Sequence, residues 1–420
     1  MQPLGTLHVA AALKDFFKNE IEISFVKGLV DINDNSIVNK VLSTDPDYIG
    51  ISTTTIYSDR LLNLAKKIHS HKPSKVIFAG GFRITQYGKD LIENEELRFF
   101  ILGDGETPTV QAIKNLELNQ SIDNIPGVMT KTNPNPIFNE EDISKLPSPW
   151  LTRVVEYDPI YNSSYWELER GCAFNCTYCY LTRYKREPSQ IPLDRVEKEL
   201  RYITEFHKNL SQLYISNPTF TTDIQRANYL FDMFYKIAPS MKWDISLRPE
   251  HITDELIMKM SKFKKINLQI GLQSFVPSVL KDMHRAPIDK EQYTKMFHKL
   301  QNRKIPFTVD LIIGYPGETI ESFKEGVKYL VDIGVRSIIS YRLQIYPETE
   351  IGRNAEKLGL KYYPGNVNND AHCFKPYIWS QERGEIQPFR IYETSTITKE
   401  ELAEASVWAQ EYIKEHPVFL

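Results

Sequence analysis

The stretch Glu169-Arg170-Gly171-Cys172-Ala173-Phe174-Asn175-Cys176-Thr177-Tyr178-Cys179 sets three thiols in a CxxxCxxC run that holds three of the chain's 4 cysteines. Three closely spaced thiolates can hold three irons of a four-iron, four-sulfur (4Fe-4S) cluster and leave the fourth iron without a protein ligand. That open iron has a free position for a substrate or cosubstrate. A structural zinc site needs four N or S ligands in a closed tetrahedron, usually from two short ligand clusters. No His closely follows the triplet, and the remaining cysteine, Cys373, is far away in sequence, so zinc is the lesser reading. A disulfide fares worse, because three crowded thiols leave one over and no secretory signal opens the chain.

The rest of the composition fits a reduced, water-soluble setting for such thiols. With 420 residues, 41% hydrophobic and 25% charged, the chain is long enough for two or three domains with sizeable cores. Its net charge of -3 carries no electrostatic footprint for nucleic acid, which calls for a basic domain with clustered Lys and Arg. No apolar run reaches the length of a membrane span, and Met1-Gln2-Pro3-Leu4-Gly5 is not a signal peptide. The cytoplasm is the expected compartment.

Around the triplet, strand and helix patterns alternate, which predicts βαβ units and parallel sheets. Downstream strands are expected near Tyr165 to Glu169, Leu213 to Ser216, Trp243 to Arg248, Ile266 to Gln273, Phe307 to Gly314 and Ser337 to Tyr346. The clearest helix is Thr319 to Ile333, where Phe323, Val327, Leu330 and Val331 share a face and Gly334 suits the C-terminal cap. Upstream, strands are expected at Ile21 to Val26, Tyr48 to Ser52, Lys75 to Ala79 and Phe99 to Leu102, with a helix over Ser58 to His69. Gly80-Gly81 and Gly103-Asp104-Gly105-Glu106 close two of these strands with turns. Proline-punctuated, acidic sequence from Ile125 to Trp150 reads as a linker. The expected plan is an α/β domain over 1–124, a linker over 125–159, a core over 160–350 and a C-terminal extension over 351–420.

The cysteine spacing resembles the radical-SAM superfamily, in which the open iron chelates S-adenosylmethionine and an electron from the cluster cleaves it to a 5′-deoxyadenosyl radical. The resemblance implies a partial (β/α)6 barrel of the TIM type for the core. It also implies an N-terminal parallel-sheet, Rossmann-like domain similar to the cobalamin-binding domain that precedes many such cores. There, Pro3-Leu4-Gly5 follows a first strand, whereas here it stands at the start of the sequence, and no DxHxxG sequence supplies a histidine below cobalt. A degenerate scaffold is therefore expected in preference to a working cobalamin site. In barrels of parallel strands the loops after the strands carry the chemistry, which sets the cysteine loop at the active end.

By the same resemblance, Cys172, Cys176 and Cys179 hold the cluster and Tyr178 packs near the adenine of S-adenosylmethionine. Asn217, in Asn217-Pro218-Thr219, stands where a glycine-glycine-glutamate motif usually grips the methionyl amine; it lacks the carboxylate's charge. Arg248 is the candidate partner of the methionyl carboxylate, since its planar fork suits two-point binding. Gln273 and Ser274 resemble the ribose-contacting position. The segment from Asp310 to Glu318 is similar to the one that lines the adenosine pocket, with Leu343 and Tyr346 as adenine contacts.

Cys373, in Asn368-Asn369-Asp370-Ala371-His372-Cys373-Phe374, is either a small buried hydrophobe or a catalytic thiol. A single thiol beyond the core resembles the peptide epimerases of the proteusin type, which implies hydrogen-atom return to an α-carbon radical. The expected function is thus a radical-SAM epimerase making D-residues in a ribosomally made precursor peptide, with a flavodoxin-like or ferredoxin-like electron donor. A cobalamin-dependent radical methyltransferase is the main rival and a cluster-binding electron-transfer protein the non-enzymatic one. A methylthiolating relative is disfavoured because no second cysteine triplet is present.

Overall fold

A computed structural model of the chain describes residues 4–26, 33–52, 58–81, 84, 91–155, 158, 161–182, 187–362 and 391–415. Cys373 and Trp379 lie outside the described residues. The chain divides into two compact units, residues 2–157 and residues 158–420. Among the described residues no helix is long and apolar enough to cross a membrane.

The first unit holds α1 (Leu4–Phe17), α2 (Asp34–Ser43), β1 (Tyr48–Ser52), α3 (Ser58–His71), β2 (Val76–Gly80), β3 (Phe99–Ile101), α4 (Glu106–Glu117) and β4 (Val128–Met129). Its sheet runs β1-β2-β3-β4, parallel over the first three strands and antiparallel at the last. The predicted helical stripe is the reason α3 forms: Leu62, Ala65 and Ile68 are buried against Ile49, Ile77 and Phe100 of the sheet.

Two expectations need correction here. Residues 21–26 form no strand: Ile21 and Ile23 pack on Ala12 and Leu13 of α1 and on Val110 and Ile113 of α4. The β-branched run is used for burial, without a neighbour to pair its backbone. The stretch read as a linker is built into the first unit. Val128 and Met129 pair with Ile101 and Phe100, and the Gly127 N–H donates to the Ile137 carbonyl at 2.7 Å.

The second unit is a six-stranded, wholly parallel sheet with order β12-β11-β10-β9-β8-β5. Its strands are β5 (Ser163–Trp166), β8 (Gln212–Ile215), β9 (Lys242–Leu247), β10 (Ile266–Gln273), β11 (Phe307–Ile313) and β12 (Ile338–Arg342). The crossovers include α5 (Leu193–Phe206), α6 (Ile224–Ile237), α7 (Asp254–Met260), α8 (Pro277–Asp282), α9 (Lys290–Asn302) and α10 (Ile320–Asp332). This is the expected α/β architecture, a partial (β/α)6 barrel.

Buried and half-buried residues alternate along β9 and β10, which separates a helix-packed face from an inner one. On the packed face Trp243 stacks on Phe234 of α6, with ring centres 4.1 Å apart. On the inner face Asp244 accepts from Gln212 Nε2 at 2.6 Å and from Asn267 Nδ2 at 3.0 Å, so the barrel interior is polar. After β12 come α11 (Glu350–Arg353), the antiparallel pair β13 (Lys361–Tyr362) and β14 (Ile391–Glu393), and α12 (Lys399–Glu415). The Ile391 N–H donates to the Leu343 carbonyl at 3.1 Å, fastening β14 to the end of the barrel.

Candidate radical-SAM active site

The triplet follows β5, at the carboxyl end of the parallel sheet, after a two-residue strand, β6 (Glu169–Arg170). β6 pairs antiparallel with β7 (Ser189–Gln190), so the chain entering the cysteine loop is clamped to the chain leaving it. Gly171, at φ +94°, turns the backbone out of β6 into Cys172, a conformation that a side chain would strain. Deeper anchoring comes from Thr177 between the second and third cysteines. Its Oγ1 lies 2.7 Å from Tyr315 Oη and 3.0 Å from the Asp282 carbonyl oxygen, and its own carbonyl accepts from Ile351 N–H at 3.1 Å. The loop is thereby tied to the ends of α8, β11 and α11.

The three cysteines are not disulfide-bonded; Cys176 is buried and the other two are half-buried. Burial pushes the Cys172 thiol above its ordinary range. Arg248, only 6% exposed, reaches in from the end of β9 and donates from Nη1 to Cys176 Sγ at 3.7 Å. Its guanidinium carbon lies 3.8 Å from the Phe174 ring centre, and its Nε donates to Glu250 at 2.6 Å. Arg285 is the second cation. It donates to the Gly271 carbonyl and carries its charge beside Cys176. Burial opposes its charge, but Tyr178, Cys176 and Glu250 around it raise its pKa overall.

This donor set fits an iron-sulfur cluster. Thiolates that each take a different iron need not meet at a point, and two guanidiniums beside one sulfur suit a thiolate-bound anionic cluster.

The remaining predicted residues divide by position. Tyr178 is half-buried and meets Tyr315 edge-on at 6.4 Å, and burial raises its hydroxyl. Gln273 ends β10 at φ +80°, beside a register shift between Gly271 and Gln273, a strained backbone at the site-facing edge. Leu343, just beyond β12, is buried. Three polar candidates already have partners inside the protein. Asn217 accepts the Leu168 N–H through its carbonyl at 3.2 Å; Ser274 donates to Glu318 at 2.7 Å; Arg248 has split its fork between Glu250 and Cys176. Asp310 lies mid-strand on β11, two residues or more below the loops, where Oδ2 accepts from Gln269 at 2.8 Å.

Arg285, Glu250 and the Phe174 face under Arg248 were missed by the sequence reading. Arg285 follows α8 with no local motif around it, so only the fold brings it to Cys176.

A parallel (β/α)6 barrel with a cysteine triplet in the loop after its first strand defines a cluster-bearing radical-SAM core. Residues 166–330 match the sequence model of the Radical SAM superfamily, which assigns the core to that superfamily and to its 4Fe-4S cluster and S-adenosylmethionine. When bound, the cluster supplies the electron that reductively cleaves S-adenosylmethionine.

The chain is 22% identical to cytidylyl-2-hydroxyethylphosphonate methyltransferase of Streptomyces wedmorensis, over 85% of this chain and 78% of the relative. It is 24% identical to a tRNA-2-methylthio-N(6)-dimethylallyladenosine synthase of Fusobacterium nucleatum, over 71% of this chain and 70% of that one. In fold it is similar to the radical S-adenosylmethionine methyltransferase TsrM of Kitasatospora setae, with TM-score 0.74, 16% identity, and 97% of this chain and 86% of TsrM covered. TsrM has also been solved with cobalamin and a [4Fe-4S] cluster bound. These relatives overturn the epimerase expectation, since the likeness runs to methyl- and methylthio-transferring enzymes. The thiol on which that expectation rested, Cys373, lies outside the described residues.

Proposed function

We propose that this protein is a cobalamin-dependent radical-SAM methyltransferase. The observation that carries the reading is the extent of the methyltransferase likeness. It takes in both compact units, the N-terminal sheet as well as the cysteine-bearing core. A bare radical-SAM activity needs only the second unit. The methylthio-transferring alternative is less well supported, because with 4 cysteines in all the chain has no second triplet.

In the first unit the carboxyl edge of a parallel sheet is the place where open α/β sheets bind ligands. There Gly80 ends β2 and Gly81 follows it, and Gly103 to Glu106 lead from β3 into α4, so short residues cluster at that edge. A side chain at Gly103 is excluded by the Asn139 carbonyl and the Phe138 ring, so that glycine serves packing. A side chain at Gly80 or Gly105 would press on Ile101 or Val9, so those glycines serve packing too; we assign the corrinoid to the same edge beside Gly81, where it would supply methyl carriage. In the core, Cys172, Cys176 and Cys179 are assigned to the cluster. Tyr178, Gln273 and Leu343 are assigned to flank S-adenosylmethionine, and a flavodoxin-like or ferredoxin-like protein to deliver the electron.

The test is anaerobic purification with hydroxocobalamin present, followed by the corrinoid absorption spectrum and iron and sulfide content. Incubation with S-adenosylmethionine carrying a labelled methyl group and a small-molecule extract of the producing cell follows. The expected outcome is about one corrinoid per chain and a product heavier by one labelled methyl group. Cluster-loaded enzyme that retains no corrinoid and labels nothing overturns the reading.

A further inference from the structure

We propose that Arg248 and Arg285 set the reduction potential of the cluster by presenting two guanidiniums to the sulfur of Cys176. The inference rests on the cysteine triplet as cluster ligand and not on the methyl-transfer reading.

Three observations lead to it. Arg248 is among the few buried cations of the core, and its Nη1 donates to Cys176 Sγ at 3.7 Å. Its position is fixed from two further sides, by the Phe174 face at 3.8 Å and by Glu250 at 2.6 Å, so the contact is held by the fold. Arg285 approaches the same sulfur from the loop after α8, anchored on the Gly271 carbonyl at the bulge of β10.

The chemistry follows from charge. Reduction adds one electron, from a mediator or protein donor, to a thiolate-ligated cluster that is already anionic. Cations and N–H···S hydrogen bonds at a ligand sulfur stabilise the reduced form more than the oxidised one, and they are among the features that set cluster potentials. Glu250 works the other way, since its carboxylate offsets the charge of Arg248.

The experiment is a potentiometric titration of the anaerobically reconstituted holoenzyme, following the paramagnetic signal of the reduced cluster, with iron and sulfide measured for every sample. Arg248→Gln is expected to lower the reduced-to-oxidised ratio at fixed potential at least tenfold, which is 59 mV for a one-electron couple. Arg248→Lys, which keeps the charge, is expected to recover part of that loss. Glu250→Gln is expected to shift the ratio in the opposite direction, a reversal that mere loosening of the loop does not produce. A fully loaded Arg248→Gln cluster with unchanged potential overturns the proposal. If that variant does not hold a cluster, Arg285→Gln decides: a fall supports the proposal and an unchanged potential overturns it. Wild-type protein without iron and sulfide would sink the cluster assignment itself, a separate failure.

Discussion

Asp310 and Glu318 are carboxyls placed where water is scarce, 8% and 2% exposed, each with one oxygen that lacks a hydrogen-bond partner. Burial pushes Asp310 up to about 7 and Glu318 up to about 8, against the opposing hydrogen bonds from Gln269 and Ser274. Both folded values lie above the ordinary ones of 3.8 and 4.5. Well below pH 3.8 both groups are protonated in either state, and their contribution to stability is fully present. As pH rises towards 7 and 8 the unfolded chain releases protons that the folded chain retains, so stability is lost. Each group is expected to take about 2–4 kcal/mol from the core between pH 4 and pH 8. Asp310→Asn and Glu318→Gln are expected to flatten that slope, read as urea midpoints of the apoprotein at pH 5 and pH 8. A variant whose midpoint falls as steeply as the wild type's contradicts the assignment.

At the scale of elements, α10 governs how Glu318 is presented, because the helix starts directly after it. Thr319 is its N-cap: Thr319 Oγ1 accepts from Ser322 N–H at 3.1 Å, and Ser322 Oγ accepts from Thr319 N–H at 3.0 Å. Thr319→Ala removes one arm of this box and is expected to destabilise the core by about 1 kcal/mol. Chemical denaturation checks it, and a change within error would mean that the Glu318–Ser274 bond alone holds the turn.

The helix was legible because its apolar stripe, cap and closing Gly334 (φ +88°) all lie within one short window. β10 was likewise legible to the residue, because a strand with one helix-packed face writes its alternation into the sequence. Residues 21–26 were misread because β-branched residues record burial and not whether a partner strand is near. The two-residue β4 and Arg285's approach to Cys176 were illegible for a related reason. Each depends on a pairing or an approach between segments that no local pattern encodes. The cysteine triplet was readable since ligand spacing is local; the partners of Arg248, Asn217 and Ser274 were not.

For the whole molecule, the decisive question was which unit carries the function, and a single residue proved a poor guide to it. Cys373 drew attention as the one thiol left over, but a lone cysteine says little, whereas an entire α/β unit shared with methyltransferases bears on the reaction. The two units have separate sheets and separate cores: Ile77, Phe100 and Met129 centre one, and Trp243, Phe234 and Leu268 lie in the other. All three cluster cysteines, with Arg248 and Arg285, fall within residues 158–420, and the sheet edge assigned to the corrinoid falls within 2–157. Division of labour on that plan has a measurable consequence. A fragment of residues 158–420, reconstituted anaerobically, is expected to bind iron and sulfide near the full-length stoichiometry and to retain no corrinoid. Residues 2–157 are expected to retain hydroxocobalamin and no iron. Folded fragments with the full-length circular-dichroism signatures but with corrinoid on residues 158–420, or on neither, would show that the N-terminal sheet is a scaffold only. The methyl-transfer reading would then lose the observation on which it rests.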